Sequence, residues 1–201
     1  MRIYSIMCTA MCTAGLLLSS CSAKIQGELV MCWKEGRPCL GRRVFVTSQT
    51  YDPNLGGRTG ADAKCNAVAT AAGLQQSYIA FLNTEGVDAF DTVDSITVPF
   101  LRDESGALKV IADSFLELEQ GSIQEAPRFT ELNSDIGTVL PYIAHGTTNG
   151  LNCGSWSSNA GNARVGDPRK TNSELFAAAS GFLCSGIVDL RILCVATDLG
   201  D

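Results

Sequence analysis

Apolar and polar residues change period several times along this chain, and each change marks an element. Arg43-Val44-Phe45-Val46-Thr47-Ser48 is rich in β-branched and aromatic residues and predicts a strand. Tyr51 to Arg58 contains Pro53, Gly56 and Gly57 and predicts a loop, with glycines suited to positive φ before a helix. From Thr59 to Ala72 the spacing becomes helical, with Ala61, Cys65, Val68, Ala69 and Ala72 on one face. Thr59 followed by Asp62 is a suitable start, and Gly73 a suitable stop. Tyr78 to Leu82, Leu108 to Ala112 and Val139 to Ala144 predict short strands. Glu85 to Asp94 predicts an acidic loop, and Asp103-Glu104-Ser105-Gly106 a turn. Asn149 to Lys170 is rich in Gly, Asn and Ser and predicts a long irregular loop. Leu190 to Thr197 is apolar at successive positions and predicts a closing strand buried on both faces. No internal repeat or low-complexity tract interrupts this order.

Composition narrows the class. The chain has 201 residues, 45% of them hydrophobic, which suffices for one sizeable core and is unlike a disordered segment. Its net charge is −6 and no Lys/Arg cluster offers a footprint for phosphates, so nucleic acid is not an expected partner. Nine cysteines point to an oxidising compartment.

The first twenty residues have the layout of a secretory signal. Arg2 is their only charge, and Ile3 to Leu18 is apolar or small. Ser5, Thr9 and Thr13 interrupt that run, which disfavours a permanent membrane span. The junction Leu18-Ser19-Ser20-Cys21 resembles the bacterial lipobox, where the cysteine thiol receives a diacylglyceryl group and the signal is cut before it. The resemblance implies a signal at 1–20, lipid on Cys21, a linker over 21–41 and attachment to a bacterial envelope membrane through that lipid. An ordinary signal peptide followed by a chance cysteine is the alternative. Ser22 stands where Gram-negative lipoproteins kept at the inner membrane tend to carry Asp, which points to the outer membrane.

Cys8 and Cys12 would leave with the signal, and lipid would occupy Cys21. Six cysteines then remain: Cys32, Cys39, Cys65, Cys153, Cys184 and Cys194. An even number in an exported domain predicts disulfides, with 15 possible connectivities. Zinc would need closer Cys pairs or paired histidines, and His145 is the only histidine.

An early helix bearing Cys65, a last strand bearing Cys194, and Cys153 with Cys184 in a loop-rich second half resemble the C-type lectin-like fold. That fold is α+β, with short antiparallel strands, an early helix and a long loop region. The resemblance implies the pairs Cys65–Cys194, Cys153–Cys184 and Cys32–Cys39. It can be narrowed. "RVFVTSQTYDPNLGGRTGADAKCNAVATAAGL", "VIADSFLELEQGSIQEAPRFTE", "NCGSWSS" and "LCVATD" resemble a domain family found in bacterial lipoproteins, spirochaete ones included, within the C-type lectin and endostatin-like superfamily. The match covers about residues 42–198. The family has no established biochemical activity, so the resemblance implies a fold and a location.

Candidate chemistry is sparse. Calcium-dependent lectins carry E-P-N or Q-P-D and then W-N-D, whose oxygens ligate the cation. This chain has Glu125-Ala126-Pro127 and Trp156-Ser157-Ser158-Asn159, so a carboxylate is missing and the usual calcium–sugar mode is not expected. Trp156 reads first as a core residue beside Cys153 and alternatively as a stacking surface. Asn152, Trp156 and Asn159 are the candidate ligand-contacting residues. Glu85, Asp88, Asp91 and Asp94 lack the calcium-loop pattern and read as a solvated loop. A Ser-His-Asp triad would have to use His145, and no G-x-S-x-G elbow is present. "GGRTGADAK" lacks phosphate-loop spacing. No cofactor, metal or catalytic residue is therefore expected. The leading expectation is a lipid-anchored, extracytoplasmic binding domain working through the Gly146–Lys170 region, with a protein or glycan ligand. The alternatives are a structural envelope lipoprotein and, third, a secreted hydrolase.

Overall fold

The computed structural model describes residues 31–34, 37–93, 100–104, 107–137 and 142–197. The expected signal segment 1–20, Cys21 with residues up to 30, Asp94, the first residues of the Val139–Ala144 strand and Asp198 lie outside the described residues. The chain is α+β. Two strands, β1 (Met31–Lys34) and β2 (Arg37–Leu40), form an antiparallel hairpin within the segment expected to be a linker. Their register sets Cys32 opposite Cys39; the side chains of both, and so the expected Cys32–Cys39 bond, lie outside what is described.

β3 (Arg42–Val46) is the predicted strand. It is followed by α1 (Gly57–Ala71), which begins two residues before Thr59. Gly56 and Gly57, with φ of 85° and 71°, turn the chain into the helix, so no side-chain cap at Thr59 is used. Ala61, Cys65, Val68 and Ala69 form the buried face of α1. Beyond it come β4 (Tyr78–Ala80), β5 (Phe100–Glu104) and β6 (Ala107–Ala112). Asp103 and Glu104, expected in a turn, instead end β5, whose first residues Phe100 and Leu101 are buried. The helix α2 (Phe115–Gln120) was not anticipated, although its signal is in the sequence. Ser114 accepts from the Glu117 N–H, the Glu117 side chain reaches back to the Asp113 N–H, and Gly121 at φ 62° ends it.

The second half is more regular than expected. After β7 (Tyr142–Ala144), the stretch read as a long irregular loop contains the single turn α3 (Cys153–Trp156) and the strand β8 (Asn162–Gly166). α4 (Glu174–Ala177), β9 (Ala179–Leu183), β10 (Leu190–Arg191) and β11 (Leu193–Ala196) complete the chain. The closing apolar run is therefore two strands broken at Ile192. β10 pairs with β7, whereas β11 enters the other sheet.

Two sheets organise the domain. One has the order β4-β11-β3-β5-β6, with β3 and β5 parallel and the other pairs antiparallel. The other has the order β10-β7-β8-β9, with only β10 and β7 parallel. β3 and β11 lie between two cores. Phe45, Cys194 and Ala196 face a cluster containing Tyr78, Trp156 and Leu190. Val44, Val46, Leu193 and Val195 face a cluster of Phe81, Phe100, Ile111, Ile143 and Phe176. Burial on both faces explains why β11 reads as an unbroken apolar run.

Two disulfides among the described residues tie these parts together. Cys65 on α1 bonds Cys194 in β11, and Cys153 bonds Cys184. These span 129 and 31 residues, which corresponds to about 5 and about 4 kcal/mol if chain entropy alone acts. Arg42, almost wholly buried, donates to the carbonyls of Ala196 (2.9 Å) and Thr197 (2.5 Å), fastening the last strand to the first strand of the sheet. Replacing Cys65 and Cys194 together by Ala is expected to lower unfolding stability more than replacing Cys153 and Cys184 together. Urea titration of the two double variants reads the order, and the reverse order would show that loop length does not govern their contributions.

Candidate functional site

The Gly146–Lys170 region is held from below by Asn83. This side chain, just after β4, accepts from the Ala89 N–H (2.5 Å) and donates to the Gly146 carbonyl (3.3 Å). Its backbone carbonyl accepts from the Trp156 indole N–H (2.9 Å), and its N–H donates to the His145 carbonyl (2.6 Å). One buried asparagine thus joins the acidic loop, the end of β7 and α3. Nothing in the local pattern around Asn83 announces this, because its partners lie 6 to 73 residues away.

α3 is a left-handed turn. Cys153, Gly154, Ser155 and Trp156 have φ of 51°, 60°, 57° and 60°, a conformation that disfavours side chains by roughly 1–2 kcal/mol per residue. Several contacts hold it. Asn152 Oδ1 accepts from the Ser155 N–H (2.9 Å), the Trp156 N–H donates to the Asn152 carbonyl (2.6 Å), and the Cys153–Cys184 bond fixes its first residue. The Trp156 carbonyl accepts from the Leu55 N–H (2.8 Å) and the Ser155 hydroxyl from the Glu85 N–H (3.0 Å).

This geometry corrects the expected ligand contacts. Trp156 is fully buried with its indole N–H engaged, so it presents no ring face to a ligand. Asn152 is 2% exposed; it caps α3 and donates to the Thr147 carbonyl (2.9 Å), so its amide is occupied within the protein. Asn159 is exposed, and its Oδ1 accepts from the Asn54 N–H (3.0 Å), pinning the loop before α1. The structure does not bring the three together as one surface. Glu125 extends toward the buried Arg102, 3.1 Å away. Among the described residues no group of three or more His, Cys, Asp or Glu side chains is placed to hold a metal ion, and no helix is long and apolar enough to cross a membrane.

What the fold does assemble is an open polar cleft of about 260 Å³ lined by Asn83, Asp88, Thr147, Thr148, Asn149 and Arg164. Four of the six come from the expected working region; Asn83 and Asp88 come from the segment after β4. Thr147 and Asn149 are locked by a hydroxyl-to-amide bond of 2.7 Å, and Thr147 also accepts from the Leu151 N–H (3.1 Å). Asp88 Oδ1 accepts from the Phe90 N–H (3.0 Å), opening the 3₁₀ turn Phe90–Thr92. The Arg164 guanidinium has no hydrogen bond or ion pair among the described residues, and Asp88 forms no ion pair.

His145 lies beside this cleft and inside the protein. It packs tilted against Phe176 at a centroid distance of 4.6 Å, with Phe81, stacked, and Phe90, edge-on, further out at 6.0 and 6.3 Å. Its Nε2 is 3.5 Å from the Asn83 amide nitrogen. Burial among aromatic rings lowers its pKa to about 4; the Phe81 carbonyl and the Asp88 charge oppose the shift and Arg164 adds to it. His145 is therefore neutral at pH 7.

A neutral histidine confined to the folded state makes stability depend on pH. Unfolded, it takes a proton as pH falls through about 6.5. Folded, it resists protonation until about pH 4, so acidification favours unfolding across that window. Between pH 7 and pH 5 the loss at this residue is about 2 kcal/mol. His145→Gln is expected to flatten that part of the stability–pH curve, measured by urea unfolding at each pH. An unchanged slope would place the pH dependence elsewhere.

No protein-family model matches this chain, and no curated protein matches it.

Proposed function

We propose that this chain is a lipid-anchored binding domain of the C-type lectin-like fold, held at the bacterial envelope by Cys21, whose ligand site is the polar cleft beside His145 rather than a calcium–sugar site. Support for the fold comes from the early helix α1, the adjacent first and last strands of the large sheet, and the pairs Cys65–Cys194 and Cys153–Cys184. Support for the anchor comes from the apolar run and Leu18-Ser19-Ser20-Cys21. The observation that carries the binding function is the cleft itself. An exposed depression is lined almost wholly by polar groups, and two of them, Asp88 and Arg164, carry opposite charges without an ion pair. Unpaired charges on a rigid wall are available to a ligand. The domain acts by binding rather than by catalysis, since its one histidine is buried among phenylalanines. The partner is a molecule outside the cytoplasm, not nucleic acid.

The alternative is a structural envelope lipoprotein that binds no free ligand. The complete burial of Trp156 beneath the polar surface favours it, since the one large aromatic of the region is used for packing.

Three measurements test the anchor, the ligand mode and the binding role in turn. Palmitate fed to a bacterium expressing the chain is expected to label it, and Cys21→Ser to remove the label; retained label would refute the anchor. The thermal midpoint of the full chain in detergent is expected to be the same in calcium as in EDTA, whereas a calcium-dependent rise would restore the calcium mode. A polar-metabolite extract is expected to slow amide hydrogen exchange at Thr147–Leu151 and Arg164, and Arg164→Gln to abolish the effect. No protection anywhere in the cleft would favour the structural role.

A further inference from the structure

The cleft contains features that narrow its ligand, given the binding role proposed above. Its two charged groups are single and opposite in sign. Arg164 projects from β8, and Asp88 from the segment following the Thr84–Val87 bridge. No ion pair joins them, so their charges are not cancelled within the protein. Asp88 feels Arg58 electrostatically, but Arg58 is directed to the Leu82 carbonyl (2.6 Å) and forms no ion pair with it. His145, the third titratable group near the cleft, is neutral at pH 7 and adds no charge. The other lining groups, Asn83, Thr147, Thr148 and Asn149, are hydroxyls and amides.

The size points to a small molecule, because 260 Å³ lies below the roughly 300–1,000 Å³ of sites for drug-sized ligands. A neutral sugar would usually lie on an aromatic face, and the nearby Trp156 is buried. A simple anion would meet Arg164 but be repelled by Asp88; a simple cation would meet the reverse. A molecule with a carboxylate and an ammonium separated by a few bonds satisfies both walls. Arg164 offers a planar fork of donors that matches a carboxylate, and Asp88 Oδ2 is left to accept from an ammonium.

We propose that the cleft binds a small zwitterion of the α-amino-acid type, its carboxylate on Arg164 and its ammonium on Asp88, with the exposed Thr148 hydroxyl and the Asn149 amide N–H groups completing the hydrogen bonds.

The test is thermal unfolding of the full chain in detergent with each of the twenty L-amino acids at 10 mM. The comparison ligands are butylamine, butyrate and glucose at the same concentration. At least one amino acid is expected to raise the midpoint, and the single-charge ligands and glucose to leave it unchanged. Arg164→Gln and Asp88→Asn are each expected to weaken that amino acid at least tenfold by calorimetry. Asp88→Asn retains an acceptor for the Phe90 N–H, and near-ultraviolet circular dichroism of both variants checks that the fold is kept. A midpoint raised by glucose or by a single-charge ligand alone, and lost in Arg164→Gln, would overturn the zwitterion while leaving the cleft as a binding site. No response to any amino acid, with amide protection by the metabolite extract retained, would also overturn the zwitterion alone. No response and no protection would overturn the ligand class and the binding role together.

Discussion

The pairing of β3 with β11 is the constraint on which the rest of the domain depends. These strands meet at Phe45 and Cys194, about 150 residues apart in sequence, and both are buried on both faces. Each core therefore has the same two strands as one of its walls. Leu193 and Val195 close the phenylalanine-rich core, while Cys194 and Ala196 close the one around Trp156. Neither core is complete until the end of the chain has returned to its beginning. The Cys65–Cys194 bond and the Arg42 contacts with Ala196 and Thr197 secure that closure from opposite ends of β11. Non-local closure of this kind costs chain entropy before it gains packing, so a covalent tie across it stabilises more than one within a short loop.

The left-handed turn at Cys153–Trp156 depends on that closure. Four successive residues at positive φ, three of them not glycine, are held only by surroundings that determine them several times over. Here the surroundings are Asn152, the bond to Cys184, the buried indole and the Asn83 carbonyl. The benefit to the fold is directional. A right-handed turn would carry Trp156 elsewhere, whereas this one drives it into the core and leaves Gly154, Ser155 and Ser157 outside. The same packing leaves Thr148 and Asn149 exposed at the cleft, so the polar cleft and the buried tryptophan are two sides of one arrangement.

Charge placement in the cleft follows from the same layering. Arg164 lies on β8 between Ala163 and Val165, both fully buried, so alternation along the strand sends its side chain away from the core. Asp88 is fixed by the bond its Oδ1 accepts from the Phe90 N–H. His145, one step past β7, falls on the phenylalanine side and is neutralised by burial. The outcome is one cation and one anion set at a surface beside a neutral histidine packed among phenylalanines.

Some of this was determined by sequence alone. β3, α1 and the closing apolar run are local patterns: β-branched alternation, a 3.6-residue apolar face, and successive apolar positions that only two-sided burial satisfies. The capping pair Ser114 and Glu117 that starts α2 is an equally local signal. β8 and β9 were not legible, because residues such as Asn162, Gly166 and Gly181 have weak strand preference and become strands by pairing with neighbours already in place. Gly166 shows the reason: an added Cβ would overlap the Leu175 carbonyl, so the residue reports close backbone approach rather than a loop. The sequence also marked out the region Gly146 to Lys170 but not its contacts. Trp156 is buried as its first reading beside Cys153 had it, whereas Asn152 looks like a polar ligand group in a Gly- and Ser-rich stretch and only the tertiary structure turns it inward. Arg164 and Asp88, 76 positions apart, become neighbours of one cleft because separate elements deliver them there, and no local pattern encodes a distance of that kind.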